Sequence, residues 1–347
     1  MEGINCEGVF MRTFIEKIKD GENLTQQEVE IAMHAIMEGK TPKNDIADFL
    51  LALRHKGPTI DEITGAAKIM RRFVVPIKSC HKNILDTCGT GGDRKNTFNI
   101  STLSALVVAG AGVPVAKHGN RSVSSKCGSA DILEELGVNL DIAQERVTEC
   151  LNEVGIAFLF AQKLHPAMKN VAPIRKELGV ETIFNVLGPL TNPANATHQI
   201  IGVYNRDYVE PLAHVLKNLG LKKALVVHGG DGLDEITTTT NTFISEFNGK
   251  DVVSYDISPE ELGFPLAELA DLVGGDLCTN LDIAQRILDG EHWPKRDIVV
   301  LNAAYALYVF GKVDTISDGI EMAQGSLDTG KAFEKLQQLK EFTNRGS

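Results

Sequence analysis

Gly89-Thr90-Gly91-Gly92-Asp93 closes the apolar start Ile84-Leu85-Asp86, and Asn99-Ile100-Ser101-Thr102 follows at the mouth of a helix. Glycines let the main chain approach a bulky anion closely, and a helix N-terminus offers it unpaired N–H groups. Lys117-His118-Gly119-Asn120-Arg121 and a serine-rich stretch ending at Ser129 come next, adding a lysine and an arginine. Together they describe a cradle for a phosphorylated small molecule. The turn is not a Walker loop, since no Gly-Lys-Ser/Thr follows, and Arg94 stands where the dinucleotide fingerprint has its third glycine. A GTGGD turn is compatible with a plain strand-to-helix connection; the helix start at Ser101-Thr102 tips it towards anion binding.

The stretch 117–129 is poor core material and reads as a pyrophosphate clamp rather than a solvated loop. In it Lys117 is a point charge, Ser122, Ser124 and Ser125 around Val123 are donors, and Ser129 opens a second helix. His118 alone carries little weight. A third element, Gly229-Gly230-Asp231-Gly232-Leu233-Asp234-Glu235, places adjacent carboxylates after a strand. In a phosphate-binding chain that pattern suggests Mg²⁺, which is held by one or two carboxylates with water and substrate oxygens. An acidic surface turn is the alternative.

The chain that must position these groups has 347 residues, enough for a large core split between two domains. Its 43% hydrophobic and 23% charged content is that of a globular protein, and the net charge of −11 opposes a general nucleic-acid or anionic-membrane surface. Six cysteines without a CxxC pair or zinc-ligand spacing read as free thiols of a reducing cytosol; Cys88 and Cys127, beside the motifs, are either mildly reactive or, in preference, small packing residues. No secretory signal is visible at the N-terminus, where Met11 is an alternative start to Met1, and the apolar run 105–116 is too short to span a bilayer. These features place the protein in the cytoplasm.

Helical periodicity fills roughly residues 8–75. Val29, Met33, Ile36 and Met37 share one face; Ile46, Phe49, Leu50 and Leu53 share another, ending at Gly57-Pro58; Thr59-Ile60-Asp61-Glu62 forms a capping box for the helix of Ile63, Ala67 and Met70. From Ile84 short apolar runs at 84–85, 113–116, 156–160, 200–203 and 224–227 alternate with helical patterns near 102–109, 130–136, 142–154 and 207–219, predicting an α/β region with a mostly parallel sheet. A hairpin is expected around Asn248-Gly249, and helices at 280–289, 297–310 and 327–342. The segment 163–193 carries Pro166, Pro173, Pro189 and Pro193, which break it into pieces and suit a crossing between the two parts.

GTGGD, NIST, KHGNRSVSSKCGSADILEELG, HPAMKNVAPIRKELG, TIFNVLGPLTNP and DGLDEIT occur in that order, and with them the whole chain resembles the anthranilate phosphoribosyltransferase family. The resemblance implies a small all-helical N-terminal domain (1–75 plus about 172–190) hinged to a larger α/β domain with a mostly parallel central sheet (76–171 plus 191–347). It also implies a homodimer through the helical domains. The implied reaction moves the 5-phosphoribosyl group of phosphoribosyl pyrophosphate to the amine of anthranilate, a step of tryptophan biosynthesis.

By position, the resemblance gives phosphoribosyl pyrophosphate Gly89, Gly92, Asp93, Thr97, Asn99, Ile100, Ser101, Thr102, Lys117, the loop His118, Gly119, Asn120, Arg121, Ser122, Val123, Ser124 and Ser125, and Ser129. Two Mg²⁺ ions are implied, one on Ser101 and the other on Asp234 and Glu235; Arg175 would pair with the anthranilate carboxylate, Gly89 and Asn120 would position the same ring, and Gly188-Pro189 and His165 would line its pocket. No residue is assigned as acid or base. Lys117 and Mg²⁺ would stabilise the leaving group. Arg94 departs from relatives that have glycine there, so the turn is stiffer or carries an extra charge. The region is expected to lack a preceding glutamine-amidotransferase segment, and an association with anthranilate synthase is open. Two rivals remain: a metal-independent pyrimidine nucleoside phosphorylase of the same architecture, and a non-enzymatic nucleic-acid binder, which the net charge of −11 disfavours.

Overall fold

Four amphipathic helices open the chain: α1 (Cys6–Lys19), α2 (Gln26–Met37), α3 (Lys43–Lys56) and α4 (Ile60–Arg72). The computed structural model describes residues 6–121 and 127–345. The capping box expected at Thr59 and Glu62 is present, and an equivalent one at Thr25 and Glu28 starts α2. Glu62 is fully buried and also accepts from Leu24 N (2.9 Å) and Lys56 Nζ (2.8 Å), so one carboxylate both starts α4 and ties it to the end of α3 and to the α1–α2 connection.

The rest of the chain builds β1 (Leu85–Gly89), α5 (Ile100–Gly110), β2 (Val115–Gly119), α6 (Ser129–Glu135), α7 (Gln144–Glu153), β3 (Ile156–Phe160), the short α8 (Ala161–Leu164), α9 (Ala172–Leu178) and α10 (Phe184–Leu187). Then come β4 (His198–Gly202), α11 (Val209–Asn218), β5 (Lys223–Gly229), β6 (Thr242–Phe247), β7 (Val252–Ile257), α12 (Leu277–Leu288), α13 (Pro294–Phe310), α14 (Ile316–Asp328) and α15 (Lys331–Asn344). The strands form one sheet in the order β3-β2-β1-β4-β5-β6-β7, parallel from β3 to β5 and antiparallel at β6 and β7. The expected hairpin closes where Asn248 Oδ1 accepts from the N–H groups of Lys250 and Asp251. Strands β1, β2 and β3 step one way across the sheet, and β4 and β5 the other. The order therefore reverses between β1 and β4, which is where parallel α/β sheets open a crevice beyond their C-terminal strand ends.

Strand periodicity divides the core. Ile200, Leu225 and Val227 face a cluster with α5, α13 and α15; their neighbours Ile201, Ala224 and Val226 face α11, the N-terminal helices and Ile174, Phe184 and Leu187. Side chains of the proline-rich segment thus pack with the N-terminal helices, as a crossing would. The prolines do more than break helices. Pro166, Pro173 and Pro189 each stand in the first positions of a short helical turn, where a missing N–H costs nothing. One expectation fails: residues 327–342 are not a single helix. Gly330, at φ +73°, separates α14 from α15, and the glycine-rich sequence of α14 hid a helix whose cap, Thr315 accepting from Asp318 N, is regular. Among the described residues no helix is long and apolar enough to cross a membrane.

Candidate active site

The loops after β1, β2 and β5 meet at the strand-order reversal. The loop after β5 folds back across the ends of β1 and β4, and two glycines make room for it. A Cβ on Gly202 would sit 1.5 Å from the Asp234 carbonyl oxygen, and one on Gly89 2.5 Å from Asp234 Oδ2. Asn302 of α13 pins this loop by accepting from Ile236 N (3.0 Å) and donating to Ile236 O (2.8 Å). The adjacent carboxylates then turn onto main-chain donors. Gly91 N donates to Asp234 Oδ2 (2.8 Å), and Ser101 N, in the first turn of α5, donates to Glu235 Oε1 (3.2 Å). These carboxylate oxygens occupy donors of the kind that would receive phosphate oxygens.

Lys117 is buried (3% exposed) and donates to Thr87 O and to Ser101 Oγ, the latter at 3.3 Å. Asp93 lies within reach of Asp234 and accepts from Lys95 N (3.2 Å). Burial raises the pKa of Asp93, Asp234 and Glu235; repulsion from Asp93 adds to it at Asp234, repulsion from Asp234 and Asp93 at Glu235, and repulsion from Asp231 at Asp93, while Lys117 is pulled down by burial and the carboxylates oppose the fall. Such a crowded set of carboxylates beside a phosphate cradle fits a divalent cation. Among the described residues no group of three His, Cys, Asp or Glu side chains is arranged to hold a metal ion by itself.

The remaining phosphate-side candidates divide. Asn99 Nδ2 donates to Cys127 O (3.2 Å), joining the first two motifs, and Thr97 pairs with Val273 in an isolated bridge. Ile100 is a core side chain whose N–H already bonds Phe98 O, whereas the buried Thr102 Oγ1 has no partner. Asn120 O accepts from Ser129 Oγ (3.1 Å), and Asn120 Oδ1 from Arg121 N (2.8 Å). The Arg121 guanidinium turns to Asp131 and Glu134, so its charge is spent on α6. Ser122, Val123, Ser124 and Ser125 lie outside the described residues.

A second half adjoins the first. His118 and His165 meet at 3.0 Å between their Nε2 atoms, with ring centroids 4.9 Å apart, and the Gly188 carbonyl faces His118. Burial drives both pKa values down, His118 to about 3 and His165 to about 4, so both are neutral at pH 7 and one donates to the other. Arg175, half-buried on α9, lies over the Phe184 ring, its carbon Cζ 5.5 Å from the centroid. Tyr204 links the halves: its N–H donates to Thr90 Oγ1 (3.1 Å) and its hydroxyl to Glu181 Oε2 (3.1 Å). Cys88 and Cys127 are packing residues, since burial raises both thiols, Cys127 to about 11.

The floor was missed by sequence reasoning. Asp86 on β1, fully buried, accepts from His118 N (3.0 Å) and from Gln199 Nε2 (3.1 Å) on β4, and Gln199 also donates to Pro189 O (2.6 Å). A carboxylate inside an apolar strand was the available signal. Asn302 offered none, lying within a helix that is apolar on every side.

The description "glycosyl transferase family, helical bundle domain" matches residues 12–74, and "glycosyl transferase family, a/b domain" matches residues 81–333. The anthranilate phosphoribosyltransferase of Acetivibrio thermocellus is 53% identical over 334 residues, covering 96% of this chain and 97% of that relative. The crystal structure of the Thermus thermophilus anthranilate phosphoribosyltransferase superposes with a TM-score of 0.90 at 42% identity, covering 95% of this chain and 99% of that one. The Saccharomyces cerevisiae enzyme in complex with phosphoribosyl pyrophosphate and Mg gives 0.87 at 26% identity, covering 96% and 98%.

Proposed function

We infer the reaction from one premise: the chain belongs to the glycosyl transferase family, in its anthranilate phosphoribosyltransferase branch. It transfers the 5-phosphoribosyl group of phosphoribosyl pyrophosphate to the amine of anthranilate, giving N-(5-phosphoribosyl)anthranilate and pyrophosphate, with Mg²⁺ as cofactor. The observation that carries the reading on this chain is the meeting of the glycine turn, Lys117 and the Asp234-Glu235 pair at the β1/β4 reversal.

Cleaving the ribose C1–O bond leaves positive charge on the sugar and negative charge on the departing pyrophosphate. The ammonium of Lys117 is fixed before the reaction, and the N–H groups of Gly91 and Ser101 join it in stabilising that negative charge once Asp234 and Glu235 turn from them to the metal. Asp234, Glu235 and Ser101 would hold the metal, as two ions per site; bound Mg²⁺ supplies Lewis-acid neutralisation of the pyrophosphate oxygens. An arylamine is neutral at pH 7 and needs no strong base, so the neutral His118–His165 pair with Gly188 and Pro189 serves as wall and Arg175 as receptor for the carboxylate. Asn120 and Gly89 belong to the same positioning set.

The unit 1–75 plus about 172–190 would be the dimerisation domain of a homodimer, and 76–171 plus 191–347 the phosphoribosyl pyrophosphate domain. A cavity of about 320 Å³ on the helical bundle, lined by Phe10, Phe14 and Ile31, with Phe10 52% exposed, supports that use of the helices. A cytoplasmic location belongs to the same reading, and an association with anthranilate synthase rests on the resemblance alone. The test follows the loss of anthranilate fluorescence with phosphoribosyl pyrophosphate, with and without Mg²⁺. Consumption that requires the metal is expected. No consumption in its presence, or metal-free phosphorolysis of thymidine or uridine, overturns the reading.

A further inference from the structure

The Thr182-Ile183-Phe184-Asn185 segment has no part in the chemistry above, yet its side chains hold the Arg175 guanidinium on two sides. Arg175 Nη2 donates to Asn185 Oδ1 at 3.4 Å, and Thr182 N donates to the same oxygen at 3.0 Å. Two donors on one oxygen fix which way the Asn185 amide points. The Phe184 ring, 4% exposed, lies under the guanidinium at 5.5 Å. Burial lowers the pKa of Arg175, and among the described residues no carboxylate charge offsets it. The chemistry of this grip matters. A neutral acceptor orients the cation without neutralising it, and an aromatic face restrains it without occupying its in-plane donors. The remaining N–H groups and the full charge stay available for a planar anion, which a guanidinium meets in fork geometry.

The geometry points to Phe184 and Asn185 as positioning residues that aim Arg175 at the carboxylate of the aromatic substrate. This rests on the reaction proposed above. Asn185→Leu removes the acceptor; Asn185→Asp keeps both hydrogen bonds, and hence the local fold, but sets a fixed negative charge against the guanidinium. Steady-state kinetics on the full chain with saturating Mg²⁺ should show both variants raising KM for anthranilate about tenfold, as expected for a misdirected charge-assisted pair. KM for phosphoribosyl pyrophosphate should stay within about twofold, since its donors lie on other loops. In an Arg175→Ala background the Asn185→Leu effect should vanish, because it acts only through the arginine. An undiminished effect in that background, equal changes for both substrates, or wild-type KM values in both variants overturn the inference. A wild-type chain that does not consume anthranilate overturns the reaction itself, and an Arg175→Ala chain with unchanged KM for anthranilate removes the arginine from the carboxylate; the three failures are distinct.

Discussion

The two halves of the site are made of different material. The phosphate half is largely main chain: N–H groups of Gly91 and Ser101, glycines at φ +63° and +87° in the turn, and a loop lying so close to Gly89 and Gly202 that no side chain fits between. The aromatic half is side chain: His118 against His165, Arg175 over Phe184, each delivered by an element distant in sequence. The difference follows from what each must recognise. A leaving pyrophosphate needs fixed dipoles where charge develops, and backbone amides on short loops between rigid strands and helices supply them. A flat arylamine needs walls and one directed cation, which side chains from the end of β2 and from the short helices of the proline-rich segment provide.

The largest effect should come from removing charge in the phosphate half while keeping its hydrogen bonds. Asp234→Asn with Glu235→Gln should lower kcat/KM by about a thousandfold or more, the scale of lost charge stabilisation at a metal-assisted centre. Anthranilate binding, read from the ligand's own fluorescence, should change by less than about threefold if the halves are independent. A parallel collapse of anthranilate binding would break the comparison.

A pH experiment sharpens it. The carboxyls of Asp93, Asp234 and Glu235 have folded pKa values above those of the unfolded chain, chiefly through burial. Above the ordinary carboxylate range the folded, metal-free chain therefore retains protons that the unfolded chain has released, and its stability falls as pH rises towards 8. Metal binding releases those protons, so Mg²⁺ should raise Tm more at pH 8 than at pH 6, by about 2–4 °C in the difference. His118 and His165, neutral when folded but protonated near pH 6 when unfolded, raise the stability of the metal-free and metal-bound chains alike as pH rises, so they should drop out of the Mg²⁺ increment. An equal rise at both pH values would remove the carboxylates from the metal.

The same contrast explains what could be read from sequence. Local signals gave the phosphate half: glycines after a strand, a helix start, adjacent carboxylates. They gave the alternation of strands and helices for the same reason, since strands buried on both faces are short apolar runs. The floor was only half legible: Asp86 stood out as a carboxylate inside an apolar strand, but it and Gln199 become partners only through the register of β1 against β4, 113 residues apart in sequence. The His118–His165 contact spans 47 residues and depends on where α8 turns back. The partners of Arg121 were hidden for a related reason: its charge suited phosphate in sequence, and only the fold brings it to Asp131 and Glu134 of the neighbouring helix.

The smallest effect tests whether the phosphate half is as main-chain-built as it looks. Arg94 adopts φ +59° in the turn, a left-handed conformation that an arginine takes at a cost of about 1 kcal/mol and a glycine takes freely. Arg94→Gly removes the strain but adds freedom to the unfolded chain, so the net stabilisation should be small, a Tm gain of about 1–2 °C. The arginine is exposed and its charge is screened by salt, so losing it should raise KM for phosphoribosyl pyrophosphate by no more than about threefold, less at high ionic strength. KM for anthranilate should not move. A tenfold rise for the phosphoribosyl donor that persists at high salt would make Arg94 a direct ligand, and side-chain recognition would then have entered the half that the backbone otherwise builds alone.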